Sequence, residues 1–152
     1  MKKFKYPAIG AICLFILALG IGLNIYYQPH RDVKSAPVFD EFDVDDFTSE
    51  FLEYPEKAKE KYLAENGESK IVSMTGTISE IDTNFNSDIV ITLKSTKYEV
   101  GARFTLMEDQ KEKAAELKVG DKTKITGVVS AGAEFDEDFG RYLDAILEQA
   151  YF

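Results

Sequence analysis

The chain has 152 residues, of which 27 are acidic and 18 are basic, and it contains a single Cys and a single His. With 45% hydrophobic and 30% charged residues, it is predicted to fold as one ordinary domain with an appendage rather than to remain disordered. One Cys excludes an internal disulfide framework, and one Cys with one His excludes the usual zinc ligand sets.

The N-terminal region contains an apolar stretch, residues 8–27, that has no charged side chain. About 20 such residues cross the hydrocarbon core of a bilayer as a helix, and Tyr26 and Tyr27 close the stretch with rings that favour the membrane interface. The stretch therefore predicts a transmembrane anchor. A cleaved signal peptide is the alternative, because Ala18-Leu19-Gly20 has the small-x-small pattern of a cleavage site. The apolar run continues beyond this pattern, which favours the anchor.

The basic residues around the stretch predict its orientation. Residues 1–35 carry five basic and one acidic side chain, a net charge of +4, whereas residues 36–152 carry 13 basic and 26 acidic side chains, a net charge of −13. Three of the cations precede the stretch: Lys2, Lys3 and Lys5. The positive-inside rule therefore predicts that residues 1–7 are a cytoplasmic tail and that the acidic body lies outside the inner or plasma membrane. The residues before Cys13 do not form a lipobox, which disfavours a lipoprotein.

Two segments separate the anchor from the predicted strands. Residues 28–43 contain two prolines, few aliphatic side chains and no hydrophobic period, which predicts a linker. Helix formers dominate residues 44–66, where Pro55 is expected to break the helix or to begin a second one. Three aromatic side chains recur there at helical spacing: Phe47, Phe51 and Tyr54. We expect this stripe to pack against the following domain, and a groove for a partner protein is the alternative.

Residues 70–152 predict a mainly β domain with a helix. In the first stretch, 70–82, apolar positions alternate with polar ones, and Gly76 predicts a bend or bulge of the kind that small barrels need. Four further stretches also predict strands: residues 89–93, 98–105, 122–130 and 142–152. Residues 108–118 are rich in helix formers and predict a helix, and residues 131–140 predict an acidic loop. The order β-β-β-α-β-β predicts the five-stranded barrel of an OB-fold.

Several of these stretches resemble a known family. VSMTGTISEI, DIVITLKS and LKVGDKTKITGVVS are similar to the tRNA-anti-like OB-fold family of bacterial envelope proteins. The stretch QPHRDV after the anchor and Lys61-Tyr62-Leu63 before the first strand are similar as well. The resemblance covers most of the chain and implies a membrane or lipoprotein segment followed by an OB barrel in a bacterial envelope. It implies no catalytic residue.

The predicted barrel has a face on which OB-folds bind oligonucleotides. That face, on the second and third strands, uses aromatic side chains for stacking and Lys or Arg for phosphates. Four residues of this chain are the candidates for ligand binding: Lys94, Lys97, Tyr98 and Arg103. Phosphate binding is mainly electrostatic, and both the net charge of −13 and the acidic loop oppose it. The sequence therefore disfavours nucleic acid, and an oligonucleotide-binding protein is kept as an alternative.

The acidic loop, Glu134-Phe135-Asp136-Glu137-Asp138, provides a second alternative. Carboxylates at alternate positions can ligate Ca²⁺, which is the basis for considering a calcium-dependent envelope module. The loop lacks the EF-hand pattern, and a solvated run of charges is the favoured interpretation. The chain has no phosphate-binding loop, nucleophile elbow, HExxH helix or thiol pair. We therefore predict no enzyme activity, no cofactor and no metal site.

These features predict a single-pass membrane protein of the bacterial envelope whose OB-fold domain is periplasmic or extracellular. Its predicted role is that of a binding or interaction module for an envelope protein, a peptide or a small ligand. We expect the site on the second and third strands of the barrel and on the flanking loops at residues 84–87 and 131–140. The sequence leaves open the identity of the ligand, the oligomeric state and the cleavage of the N-terminal segment.

Overall fold

The computed structural model describes residues 31–65 and 68–152, together with Ala18. Residues 33–152 form one compact unit. Apart from Ala18, the predicted anchor at residues 8–27 lies outside the described residues, and its transmembrane character stays a prediction. In the part of the chain that is described, no helix combines the length and the apolar character needed to span a bilayer.

Strands dominate the compact unit, as predicted. Its elements follow one another in this order: β1 (Asp40–Asp43), α1 (Val44–Glu53), α2 (Pro55–Tyr62), β2 (Ile71–Thr83), β3 (Ile89–Lys94), β4 (Gly101–Leu106), a 3-10 turn (Glu108–Gln110), α3 (Lys111–Ala114), β5 (Lys122–Ala131), β6 (Glu134–Asp136), β7 (Arg141–Leu143) and β8 (Ala145–Tyr151).

Five of these strands close into a barrel. They are hydrogen-bonded in the order β2-β3-β4-β8-β5, and β5 pairs again with β2. Every pairing in the barrel is antiparallel except that of β4 with β8. With a helix between β4 and β5, this is the β-β-β-α-β-β topology of an OB-like fold. The predicted barrel is therefore confirmed for the described residues.

The long strand β2 shows how the barrel closes. Its first half pairs with β5 at residues 71–77, and its second half pairs with β3 at residues 77–83. Gly76 lies near the changeover, and a Cβ atom there would come 3.0 Å from Cγ1 of Val44 and 3.2 Å from Cβ of Leu93. Because there is little room for a side chain, the glycine lets α1 and β3 approach β2 closely.

Three segments differ from the sequence prediction. The predicted linker at residues 28–43 contains β1, which pairs in parallel with the first half of β2. Since β3 pairs only with the second half of β2, β1 covers backbone groups that would otherwise lie on an open edge.

The predicted loop at residues 131–140 contains β6, which forms a hairpin with β7. The predicted helix at residues 108–118 is only a 3-10 turn followed by α3, because Ala114 alone is buried and little packing supports a longer helix.

Two predicted strands have different boundaries in the structure. The third predicted strand, 98–105, begins only at Gly101, because the residues before it form a turn. The last predicted strand, 142–152, is divided between β7 and β8 at Asp144. The Asp144 carboxylate accepts a hydrogen bond from the backbone N–H of Gly101 at 2.8 Å. This contact holds the break between β7 and β8 next to the first residue of β4.

Pro55 divides the helical segment as predicted. Helix α1 ends at Glu53, and α2 begins with Pro55 in its first turn, where the missing N–H leaves no hydrogen bond unmade. Phe47 and Phe51 are buried in the core, which confirms the predicted packing of these two rings. Tyr54 is 56% exposed because the chain has already left the helical conformation at that residue, so its predicted burial is wrong.

Aromatic rings join the two helices to each other. Four rings pack together with centroid distances of 5.1 to 5.9 Å: Phe42, Phe47, Phe51 and Tyr62. Tyr62 is fully buried, and its hydroxyl donates a hydrogen bond to Oε2 of Glu50 at 2.6 Å. Burial raises the pKa of Tyr62 to about 12. The hydroxyl therefore stays protonated at neutral pH and ties α2 to α1.

Asp45 fastens α1 to the turn between β3 and β4. Its carboxylate accepts hydrogen bonds from Oγ of Ser95 and from the backbone N–H of Thr96, both at 2.6 Å, and from the Thr96 hydroxyl. Burial by itself would raise the pKa of Asp45, but these hydrogen bonds outweigh burial and hold the pKa below its usual 3.8. The carboxylate is thus ionised while it clamps the helix onto the turn.

We expect Asp45→Asn to lower the free energy of unfolding by about 1–2 kcal/mol at neutral pH, because charge-assisted hydrogen bonds are lost from a half-buried site. A carboxylate whose pKa falls on folding stabilises the fold above its unfolded-state pKa, and this contribution is lost as the pH falls through the folded-state pKa. Urea denaturation should therefore give a constant difference between wild type and variant from about pH 5 to about pH 8, narrowing below about pH 4.

Asp46→Asn is the matched control for this substitution. Asp46 is exposed, and its Oδ1 lies 3.7 Å from Nζ of Lys97. Exposed ion pairs contribute little, so this variant should change the free energy of unfolding by less than about 0.5 kcal/mol. Equal losses in the Asp45 and Asp46 variants would contradict the clamp.

Candidate functional site

The outer face of β3 and β4 holds two of the four predicted site residues. Lys94 lies opposite Gly101 in the register of the two strands, and Arg103 lies opposite Thr92. Side chains two residues apart on a strand share a face, so Lys94 and Arg103 are diagonal neighbours with backbones about 7–8 Å apart. The structure therefore brings these two exposed cations together.

Carboxylates outnumber the two cations on this face. The hollow beside Lys94 has a volume of about 180 Å³, and the hollow beside Arg103 has a volume of about 310 Å³. Four carboxylates line these hollows: Glu80, Asp82, Glu99 and Asp144. A polyanion on this face would meet more negative than positive side chains, which opposes the electrostatic attraction on which phosphate binding depends.

The other two predicted residues lie in the turn between β3 and β4 and contact α1. Nζ of Lys97 lies 3.7 Å from Oδ1 of Asp46, and the hydroxyl of Tyr98 donates a hydrogen bond to Oε1 of Glu53 at 3.1 Å. Tyr98 is half-buried and packs against the core. The four predicted residues therefore form two separate pairs, and Tyr98 does not stand beside Lys94 and Arg103 as a stacking platform.

The predicted loop at residues 84–87 is a tight turn near Arg103. Oδ1 of Asn84 accepts hydrogen bonds from the backbone N–H groups of Asn86 and Asp88, each at 2.9 Å. Phe85 at the tip of this turn is fully exposed and lines the hollow beside Arg103. The loop thus lies where the sequence predicted it, at the edge of the β3–β4 face.

The β6–β7 hairpin carries the acidic loop, and an aspartate closes its turn. Oδ1 of Asp136 accepts hydrogen bonds from the backbone N–H groups of Asp138 at 3.0 Å and Phe139 at 3.2 Å. The Asp136 carboxylate is therefore part of the turn structure. Among the residues that the structure describes, no three His, Cys, Asp or Glu side chains are grouped closely enough to hold a metal ion.

A larger cleft, of about 590 Å³, lies between this hairpin and the two helices. One wall is formed by the end of α1 and the first turns of α2, and the other is formed by β6 and β7. Its aromatic lining consists of Phe51, Tyr98, Phe135 and Tyr142. Its charged lining consists of Glu53, Glu56, Lys59 and Glu134. The cleft therefore combines aromatic surface with carboxylates on both walls.

Gly132 lets the chain at the start of the hairpin pack directly against α1. A Cβ atom at this position would come 2.0 Å from Cδ1 and 2.1 Å from Cε1 of Phe51. Phe51 is only 1% exposed, and the neighbouring Ala133 is also buried in the core. Because the backbone of Gly132 lies directly against this buried ring, the contact sets the spacing between the two walls of the cleft.

Sequence reasoning did not predict this cleft. The predicted site contributes only Tyr98 and the loop at residues 131–140 to it. The contact that shapes the cleft joins Phe51 to Gly132, which no local pattern relates. One signal was present in the sequence, since three aromatic side chains occur in and beside the acidic loop: Phe135, Phe139 and Tyr142. All three are exposed in the structure, and clustered exposed aromatic side chains are typical of binding surfaces.

No curated protein matches the chain. Among solved structures, the chain is similar to a lipoprotein from Klebsiella pneumoniae subsp. pneumoniae that is provisionally described as nucleic acid-binding; the two are 21% identical with a TM-score of 0.53, and the match covers 82% of this chain and 98% of that chain. This likeness supports the OB-like fold alone. The tRNA_anti-like family model matches residues 1–136, and the chain therefore belongs to the tRNA_anti-like family.

Proposed function

We propose that this protein is a membrane-anchored binding module of the bacterial envelope, with its OB-fold domain on the outer side of the membrane and its ligand in the cleft between the helices and the β6–β7 hairpin. The observation that carries the proposal is the aromatic lining of the cleft. The rings of Phe135 and Tyr142 pack edge to face with centroids 4.9 Å apart, yet these residues remain 50% and 39% exposed. Aromatic side chains held at a concave surface in this way are typical of ligand sites.

The walls of the cleft are fixed to a rigid barrel. Phe51 and Gly132 set the distance between the walls, and the hydrogen bond from Tyr98 to Glu53 joins the β3–β4 turn to the helix wall. A preformed site loses less conformational entropy when a ligand binds. This arrangement supports a binding role for the cleft.

The location on the membrane rests on the sequence. The apolar stretch at residues 8–27 has the length of a membrane span, and the basic residues ahead of it favour a cytoplasmic N-terminus. The similar Klebsiella protein is described as a lipoprotein, which is a different means of membrane attachment. For the present chain we propose that the apolar stretch itself is the anchor.

One experiment on intact cells tests both parts of the proposal. A photo-crosslinking phenylalanine analogue is placed at Tyr142 of the full-length protein, which carries a C-terminal tag. After irradiation we expect a crosslink to a discrete envelope component, because Tyr142 lines the cleft. We also expect the protein in the membrane fraction and its tag to be digested by protease added to spheroplasts.

Two further crosslinker positions are the controls. Phe85 and Val119 are both exposed and lie outside the cleft lining. A crosslinker at Val119 reports random collisions, and one at Phe85 reports ligands on the β3–β4 face. A product at Phe85 without one at Tyr142 would overturn the cleft as the binding site. A tag that resists protease until the membrane is permeabilised would overturn the outward orientation.

Oligonucleotide binding is the second candidate function. The provisional description of the Klebsiella lipoprotein favours it, and so does the adjacency of Lys94 and Arg103 on the face that OB-folds use for oligonucleotides. The carboxylates on that face and the net charge of −13 over residues 36–152 oppose it. A single-stranded oligonucleotide is therefore one of the probes in the binding experiment below.

A further inference from the structure

We propose that the cleft binds a cationic peptide segment in which lysine or arginine side chains alternate with apolar ones. This inference rests on the proposed function, because it names the class of ligand for the same cleft. It follows from the charge, the aromatic surface and the size of the cleft.

The charge of the cleft favours a cation. Glu53 and Glu56 lie on the helix wall, and Glu134 lies on the opposite wall in β6. Among the lining residues, Lys59 is the one cation, and its Nζ lies 4.0 Å from Oε1 of Glu56. Three carboxylates and one ammonium give the lining a formal charge of −2. A cationic side chain between the walls is attracted from both sides, whereas an anion is repelled.

Glu53 can accept a further hydrogen bond from a cationic ligand. Its Oε1 accepts one hydrogen bond from the hydroxyl of Tyr98 at 3.1 Å. A carboxylate offers about four lone-pair positions, so Glu53 retains acceptor capacity for a ligand while Tyr98 orients it. The remaining acceptor positions of Glu53 can form a charge-assisted hydrogen bond to an ammonium or guanidinium group.

The aromatic lining favours a peptide over a compact ion. Lysine and arginine lay their apolar stems along aromatic surfaces while their charged ends reach a carboxylate. A contact of this kind already occurs within the protein, since Nζ of Lys57 lies 5.7 Å from the ring centroid of Tyr54. Apolar side chains of the ligand would cover the exposed faces of Phe135 and Tyr142, which a polyamine does less completely.

The size of the cleft suits a short peptide segment. Its volume of about 590 Å³ lies in the range of roughly 300–1,000 Å³ that is usual for ligand sites, and it is far larger than a single ion requires. Charge, surface and volume therefore favour the same class of ligand.

Fluorescence anisotropy of a labelled hexapeptide of alternating lysine and leucine tests this inference. The full-length protein is kept in micelles of an uncharged detergent, and protein-free micelles are the blank. We expect saturable binding, and we expect a hexapeptide of alternating glutamate and leucine not to bind. The double variant Glu53→Gln with Glu134→Gln should weaken binding by about tenfold or more, because a carboxylate is lost from each wall.

A second double variant, Glu60→Gln with Glu65→Gln, is the matched control. Both residues are exposed and lie outside the cleft lining, and the change in net charge is the same. This control should bind the peptide within about twofold of wild type, as expected for screened charges away from a site. Phe135→Ser removes aromatic surface without changing the charge and should also weaken binding. Thermal unfolding of each variant checks that the fold is retained.

Several results would overturn the inference. Equal weakening by the two double variants would mean general attraction to an acidic protein. Displacement of the peptide by spermine at equal concentration would mean a site for small cations, and preferential binding of the single-stranded oligonucleotide would favour the second candidate function. A crosslink at Tyr142 in cells without binding of the lysine–leucine peptide would leave the binding module standing and refute the ligand class. Failure of both experiments would refute both proposals.

Discussion

Phe51→Ala is expected to lower the free energy of unfolding by about 3–5 kcal/mol, a large part of the roughly 5–15 kcal/mol that stabilises a typical domain. The ring of Phe51 is buried, and its centroid lies 5.1 Å from that of Phe47 and 5.5 Å from that of Tyr62. Its removal leaves a cavity where α1, α2 and the β6–β7 hairpin meet. Surrounding side chains fill such cavities only partly, so the lost contacts are not recovered.

Urea denaturation of the full-length protein, followed by circular dichroism, measures this loss. Tyr54→Ala is the control, because Tyr54 belongs to the same predicted aromatic stripe but is exposed. It should cost less than about 1 kcal/mol, as is usual for exposed side chains. Similar losses in the two variants would contradict the different burial of the two rings.

Gly132→Ala is expected to cost about 3 kcal/mol in the wild-type chain and almost nothing in the Phe51→Ala background. The three atoms nearest to the new Cβ would all belong to the Phe51 ring, the closest at 2.0 Å. Gly132 is not one of the glycines with positive φ in the described residues, so alanine can adopt its backbone conformation. The cost is therefore steric, and removing the ring removes it.

A double-mutant cycle of these two substitutions measures the coupling. We expect the double variant to be more stable than the sum of the single effects predicts, by about 2 kcal/mol or more. Gly140→Ala is the control: Gly140 has φ of 59° and no heavy atom within 4 Å of the added Cβ. Its cost comes from backbone strain and should add to that of Phe51→Ala. If the stability losses of Gly132→Ala and Phe51→Ala simply added, this would contradict the close packing of Gly132 against the Phe51 ring.

The barrel could be predicted from the sequence because its strands alternate. In β2, Val72, Met74 and Ile78 are buried. The polar positions between them give a hydrophobic period of two, which predicts a strand rather than a helix. Ser73 shows a limit of that pattern, since it is buried as well and shares a hydrogen bond of 2.6 Å with Thr126 of β5. A polar residue in a strand can thus be buried when a polar partner lies opposite it.

The short strands could not be predicted, because their stability comes from distant partners. β1 spans only Asp40–Asp43, has three acidic residues out of four, and is held by the open edge of β2. The division of the four predicted ligand-binding residues into two pairs could not be predicted for a related reason. Lys94 and Arg103 could be placed on one face from strand register alone, whereas the direction of Tyr98 depends on Glu53 in a helix that precedes the barrel.

The position of β8 has a consequence for the timing of folding. β8 is the last barrel strand in the sequence, yet it lies between β4 and β5 in the sheet. The barrel therefore cannot close until this strand has been synthesised, and its closure depends on contacts between residues far apart in the chain. Folding dominated by such contacts is slow. We therefore expect closure of the barrel to be a late step in folding.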